Sequence, residues 1–265
     1  MKSIVSIEWL KENLENPKLV VLYSNLGDKK APTHYIKNSR LFDIKNTFSN
    51  LESNFPNTLP SPELFQKNCQ QLGINNDHIV VVYDHRNIFS SPRVWWLFKT
   101  MGFHNVAVLN GGLQAWEESK FTVSKTLTSQ FKNGNFKAHF NSCSVQYFEK
   151  IKQNISQQKL TVIDARSADR FDGIIAEPRK GLRSGNIPNS INLPYTTVLE
   201  NGFFKSEYQL KQIFKAIPTQ NPMVFTCGSG VTACVILLAA HQVLKNKLSI
   251  YDGSWTEWGT LFKDS

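Results

Sequence analysis

One hexapeptide, Cys227-Gly228-Ser229-Gly230-Val231-Thr232, has the residue types and spacing for nucleophilic chemistry. The short apolar run Met223-Val224-Phe225-Thr226 precedes it and reads as the end of a buried strand. Ala233-Cys234-Val235-Ile236-Leu237-Leu238-Ala239-Ala240 follows and reads as a buried helix. A strand that turns sharply into a helix leaves several backbone N–H groups without partners at the turn. Two glycines let such a loop curl until those groups converge on one point. The positive end of the helix favours thiolate over thiol on a cysteine at the start of the loop. The expected object is an anion cradle with a nucleophilic sulfur at its rim, formed by Cys227, Gly228, Ser229, Gly230, Val231 and Thr232.

The elements that must position this loop occur twice. In the first half, Ser6 is expected to cap a short helix ended by Pro17, and Leu19–Tyr23 reads as a buried strand. A polar, irregular stretch follows to Pro60. Ser61-Pro62-Glu63 opens a helix, and Ile79–Tyr83 is a continuous apolar strand of the kind found inside a parallel sheet. Pro92 stands in the first turn of the next helix, Val106–Leu109 is a strand, and Asn110-Gly111-Gly112 is a turn. In the second half, Ser144 is expected to cap a helix, Leu160–Asp164 is a strand, and Ile191–Pro194 matches Leu41–Ile44. Ser206 and Gln209 have capping-box spacing, so a helix from Glu207 to Phe214 is expected. Leu248–Tyr251 is the last strand. The halves are offset by about 140 residues, too long a period for a solenoid and suited to two sequential α/β domains. The expected division is a domain over 1–122, a polar linker over 123–142, and a second domain over 143–265. The cysteine loop has no counterpart cysteine in the first half, where Asp84-His85-Arg86-Asn87-Ile88-Phe89-Ser90 stands instead. The expectation is therefore one active domain and one that has lost the chemistry, with the ligand site at the carboxyl ends of the strands.

The chain has 265 residues, 41% hydrophobic, with a formal net charge of +9. Its lysines are scattered rather than clustered, which argues for a solvated basic surface and against a nucleic-acid partner. Four cysteines, Cys69, Cys143, Cys227 and Cys234, are too few and too irregular for a disulfide framework, and no Cys/His spacing suggests a metal. No apolar run is long enough to span a bilayer, and the opening residues do not resemble a secretory signal. The expected setting is the cytoplasm, with no membrane partner and no cofactor.

Cys227–Ala233 resembles the active-site loop of the two-domain rhodanese family, and within it the 3-mercaptopyruvate sulfurtransferases. The resemblance extends along nearly the whole chain. It takes in Ser91-Pro92-Arg93-Val94-Trp95-Trp96 and Asn110–Trp116, then Asp164-Ala165-Arg166, Arg170-Phe171, Glu177-Pro178-Arg179 and Tyr251–Trp255. It implies a parallel sheet flanked by helices in each half, and sulfane-sulfur transfer through a cysteine persulfide without a metal. It also implies that Arg170 and Arg179 bind substrate, a guanidinium fork suiting a carboxylate beside a carbonyl oxygen. Family members that favour thiosulfate carry charged side chains just after the cysteine. Gly228 and Ser229 are neutral, which suits 3-mercaptopyruvate. In the implied reaction Cys227 attacks the donor's thiol sulfur, and the loop amides with the Ser229 hydroxyl hold the anion and then the persulfide. Pyruvate leaves, and cyanide, a small thiol or a thioredoxin-like protein takes the outer sulfur.

The chain departs from the family pattern at His-Ile-Pro-Gly. Asn186-Ile187-Pro188-Asn189 stands for it in the second half, and Tyr35-Ile36-Lys37-Asn38, preceded by His34, in the first. Phe89 stands where some members have a tyrosine. Two other functions remain open from the sequence: a thiosulfate-preferring rhodanese and a non-catalytic persulfide carrier. A cysteine phosphatase is rejected, because it needs a loop one residue longer that ends in arginine, where Thr232 and Ala233 stand. Cys234 is expected in the core, and Asp164 with Arg166 in the architecture behind the loop. Asp84, His85 and Arg86 are expected either to line a cleft or to lie in an exposed loop.

Overall fold

A computed structural model describes residues 1–28 and 30–262. It divides into two compact units. The first comprises Met1–Leu51, Leu59–Asn141 and Asn201–Phe204; the second comprises Glu52–Thr58, Ser142–Glu200 and the chain from Lys205 onward. Each unit thus holds a short segment from the other half of the sequence.

The first unit is built on a five-stranded sheet in the order Ile4–Val5, Val106–Leu109, Ile79–Tyr83, Leu19–Asn25, Arg40–Asp43, every pair parallel. The central strand Ile79–Tyr83 is apolar along its length because a parallel strand buries both faces. Val21, Tyr23, Val81, Tyr83 and Trp116 pack in one cluster, while Phe42 stacks on Phe48 and the rings of Phe48, Phe65, Phe98 and Phe136 meet edge to face. Ser6 and Ser61 cap the helices Ile7–Asn13 and Pro62–Gln71 as their positions predict. Residues 123–141 pack with this unit. Val123–Ser124 pairs antiparallel with Tyr35–Ile36, Phe136 is fully buried, and Asn135 exchanges hydrogen bonds with Asn75 and Asn76.

The second unit repeats the sheet in the same order: Val145–Gln146, Leu248–Tyr251, Met223–Thr226, Thr161–Asp164, Ile191–Asn192, again parallel throughout. Ile151, Val162, Val224, Tyr251, Trp255 and Trp258 form its core. The capping box of Ser206 and Gln209 is present, and its helix runs Glu207–Lys215. Ser144 does not cap the first helix of this unit. Val145 is drawn into the sheet beside Ile250, and the helix begins only at Phe148, with no side-chain bond from Tyr147 at its cap. Burial of Val145 outweighs a surface cap worth about 1 kcal/mol. The strand Met223–Thr226 is the middle member of this sheet, and the chain leaves its carboxyl end directly into Cys227.

Candidate active site

Cys227 sits between the buried strand Met223–Thr226 and the helix Ala233–Val243, and is only 2% exposed. Gly230 takes a left-handed φ of 74°, which bends the loop back toward the helix. The amides of Gly228, Ser229, Val231 and Thr232 have no hydrogen-bond partner among the described residues, whereas Cys234 and Val235 already bond back to Val231 and Thr232. Four donors are therefore available in the six residues that start at Cys227, as the strand–glycine–helix pattern requires.

A second loop locks the first from behind. The carbonyl of Cys227 accepts from the Trp255 amide at 2.9 Å, and that of Gly228 accepts from both the amide and the hydroxyl of Thr256. The Cys227 amide donates to Ser254 Oγ at 3.3 Å, and this hydroxyl donates in turn to the Tyr251 carbonyl. Ser254 holds φ at 51°, a left-handed geometry unfavourable for serine and retained where side-chain contacts over-determine it. Neither Ser254 nor Thr256 has a signal of its own in the sequence. Both lie in the tryptophan-rich segment Ser254-Trp255-Thr256-Glu257-Trp258, whose composition points to core packing.

Of the two predicted arginines, Arg170 packs on the loop itself and Arg179 reaches Thr256, which bonds the loop at Gly228. The Arg170 guanidinium lies so close over Gly228 that a β-carbon there would meet its Nη2 at 2.9 Å. Arg170 is held by Glu177, with Nη2 at 2.6 Å from one carboxylate oxygen and Nε at 3.2 Å from the other. Glu177 is fully buried at its side chain and also receives Arg166 Nη1 at 2.8 Å, and Arg166 forks onto Asp164. Asp164, Arg166 and Glu177 thus form the rigid base on which Arg170 stands, which agrees with the architectural role expected for Asp164 and Arg166. Arg179 donates from Nη1 to Thr256 Oγ1 at 3.3 Å. Burial lowers its pKa most; Cys227 and Glu177 act in the opposite direction, and Arg170 in the same one. Two cations and a sulfur therefore share one small region, a setting in which an anionic substrate would neutralise local repulsion.

Ser229 is held by a residue that sequence reasoning passed over. Asn57 Nδ2 donates to Ser229 Oγ at 3.0 Å, from the segment Glu52–Thr58 that packs with this unit. Cys234 is buried, and its thiol faces the Gly230 carbonyl at 3.4 Å, a packing role. His34 lies beside Thr33 and Glu117 in the first unit, and Tyr35 stacks edge-on against Tyr23. Of the first-half loop, Asp84 is neither exposed nor cleft-lining. It is 1% exposed, and its carboxylate accepts from the amides of Arg86, Ser90 and Ser91 and from the Ser91 hydroxyl. Among the described residues no group of three or more metal-ligating side chains occurs, and no helix is long and apolar enough to cross a membrane.

A model of the rhodanese-like domain matches the chain twice, over residues 6–119 and 148–261. The chain is 34% identical to a 3-mercaptopyruvate sulfurtransferase of Escherichia coli, over 96% of its own length and 94% of the relative's. It is 35% identical to a thiosulfate sulfurtransferase of Rattus norvegicus, covering 97% and 92%. The crystal structure of SseA from Escherichia coli, described as a 3-mercaptopyruvate sulfotransferase, superposes with a TM-score of 0.86 at 31% identity, over 96% of this chain and 99% of that one.

Proposed function

The chain belongs to the rhodanese-like family, and from that premise we propose that it is a sulfurtransferase using 3-mercaptopyruvate as donor and Cys227 as the sulfur carrier. The Cys227 thiolate attacks the thiol sulfur of the donor. The carbon–sulfur bond breaks, its electron pair passes to the departing pyruvate enolate, and a proton completes pyruvate. The sulfur remains on Cys227 as a persulfide. Cyanide, a small thiol or a reduced thioredoxin-like protein then attacks the outer sulfur and releases the Cys227 thiolate. Gly228, Ser229, Gly230, Val231 and Thr232 surround the sulfur; Arg170 and Arg179 hold the donor's carboxylate and carbonyl oxygen.

One observation carries this reading. The Cys227 loop keeps four backbone amides without partners among the described residues and has an arginine, anchored by a buried glutamate, packed on its first glycine. Donors of fixed position around a sulfur anion suit a carrier, and two guanidinium groups at one side suit a carboxylate. The neutral side chains of Gly228 and Ser229 favour a ketoacid thiol over the compact thiosulfate dianion. All four cysteines are free, in keeping with a reducing, cytoplasmic setting. The test is mass spectrometry after incubation with 3-mercaptopyruvate, which should show one added sulfur on Cys227, together with kcat/KM for 3-mercaptopyruvate against thiosulfate with cyanide as acceptor. Sulfur transfer by Cys227→Ser would overturn the carrier. A higher kcat/KM for thiosulfate would overturn the donor.

A further inference from the structure

Of the side chains in the loop from Cys227 to Thr232, the Ser229 hydroxyl has a partner from outside it, and that partner comes from 172 positions earlier in the sequence. Asn57 lies on the segment Glu52–Thr58, which crosses from the first half to pack with the second unit. The crossing has a mirror in the first unit, where Asn201–Phe204 crosses from the second half. Asn57 and Asn201 both adopt left-handed backbone, with φ of 61° and 50°. Asparagine tolerates that region, so a turn alone accounts for its presence at both places. The two differ in what the side chain does. Asn201 is exposed, and its amide makes no hydrogen bond among the described residues. The Asn57 side chain is half-buried and donates to Ser229 at 3.0 Å. The turn explains the backbone of Asn57 but leaves its amide contact unexplained.

We propose that Asn57 is a positioning residue for sulfur transfer, fixing Ser229 Oγ as a hydrogen-bond acceptor so that the hydroxyl's own proton is directed at the substrate over Cys227. The proposal rests on the assignment of Cys227 as sulfur carrier. A hydroxyl has one proton and two lone pairs. With the Asn57 N–H on one lone pair, the proton remains available to negative charge that develops as pyruvate departs. The Asn57 group that faces Ser229 is an N–H, which takes no proton. Ser229 therefore acts as an oriented hydrogen-bond donor and is not deprotonated by its partner. An amide also keeps the same polarity across the working pH range, whereas an ionising side chain at this place would make the hydroxyl's direction depend on pH.

Asn57→Asp and Asn57→Gly in the full-length chain test this, since both residues tolerate the left-handed backbone. An aspartate carboxylate would accept the Ser229 proton and reverse the contact. Its kcat with 3-mercaptopyruvate should fall roughly tenfold, with KM within about twofold, the size expected for one redirected hydrogen bond. The ratio of variant to wild-type kcat should recover as pH falls toward about 4, where a protonated carboxyl can donate again. Asn57→Gly should lose only a few-fold, with a ratio independent of pH. Ser229→Ala should lose as much as Asn57→Asp, and the two together no more than either alone. A kcat for Asn57→Asp within twofold of wild type, or losses that simply multiply in the double variant, would overturn the proposal. Cys227→Ser is the separate control, because sulfur transfer by that variant would instead remove the carrier on which the proposal stands.

Discussion

Replacing Gly228 by alanine isolates the contact between the loop and Arg170. Gly228 does not occupy the left-handed region, so its backbone accepts a side chain without strain. The cost falls on one neighbour. The new methyl would lie 2.9 Å from Arg170 Nη2 and 3.8 Å from its Cζ and Nη1, where ordinary contact begins at 3.4 Å. The tip of the guanidinium must therefore retreat by about half an ångström. It cannot do so freely, because Nη2 is bonded at 2.6 Å to a carboxylate that is itself held at 2.8 Å by Arg166. The fork must tilt away from the loop, where the proposed donor would be held, or stretch one charge-assisted bond. Such bonds contribute about 1.5–3 kcal/mol, and loss of part of one is about 1 kcal/mol, or roughly fivefold in affinity. Steady-state kinetics with 3-mercaptopyruvate and cyanide should show KM raised about fivefold and kcat changed less than twofold. In an Arg170→Ala background the same methyl has nothing to displace and should add no further change. A KM that stays at the wild-type value in folded Gly228→Ala would refute the placement of Arg170 on the substrate.

Two further outcomes follow from groups around the loop. Glu177→Ala removes the shared partner of Arg166 and Arg170 and leaves the buried Arg166 with Asp164 as its remaining carboxylate; chemical denaturation should show a loss of about 3–5 kcal/mol. Burial, with a smaller push from the Asp252 carboxylate and against a hydrogen bond with Tyr251, raises the Glu257 pKa above its ordinary 4.5, so the native state binds this proton more tightly than the unfolded chain does. Stability from this group is complete below pH 4.5 and is lost as pH rises through the raised native value. Glu257→Gln should accordingly unfold at higher urea concentration than wild type at pH 7, with the advantage vanishing below pH 4.5.

What could be read from sequence followed the reach of the interactions responsible. Ile79–Tyr83 and Met223–Thr226 are visible because a central parallel strand must be apolar on both faces, and the box of Ser206 and Gln209 because its partners are three residues apart. The Cys227 loop is visible because strand, glycines and helix are contiguous. The two-residue strands Ile4–Val5 and Val145–Gln146 carry no usable period and exist through pairing with Val106–Leu109 and Leu248–Tyr251. Ser144 misled because a local cap lost to that pairing. Asn57 and Thr256 reach the loop across long stretches of chain, and neither has a residue type that advertises the contact.

The first unit explains what the loop in the second is shaped to hold. Asp84 follows the strand Ile79–Tyr83 as Cys227 follows Met223–Thr226. Its carbonyl accepts from Leu113 at 3.0 Å, the counterpart of the bond from Trp255 to Cys227 at 2.9 Å. At this one position in the fold, the first unit places a carboxylate and surrounds it with three backbone amides and a hydroxyl. The anion is supplied by the chain itself, and its hydrogen bonds take up the loop's donors at Arg86, Ser90 and Ser91. Cysteine is shorter, and its sulfur stops one bond before the place where Asp84 puts its oxygens. A sulfur added to Cys227 would lengthen that side chain by one bond, in a loop whose amides at Gly228, Ser229, Val231 and Thr232 have no partner among the described residues. The same strand-to-loop junction is therefore inert where it carries its own anion, and suited to sulfur transfer where the anion must be brought in on the cysteine.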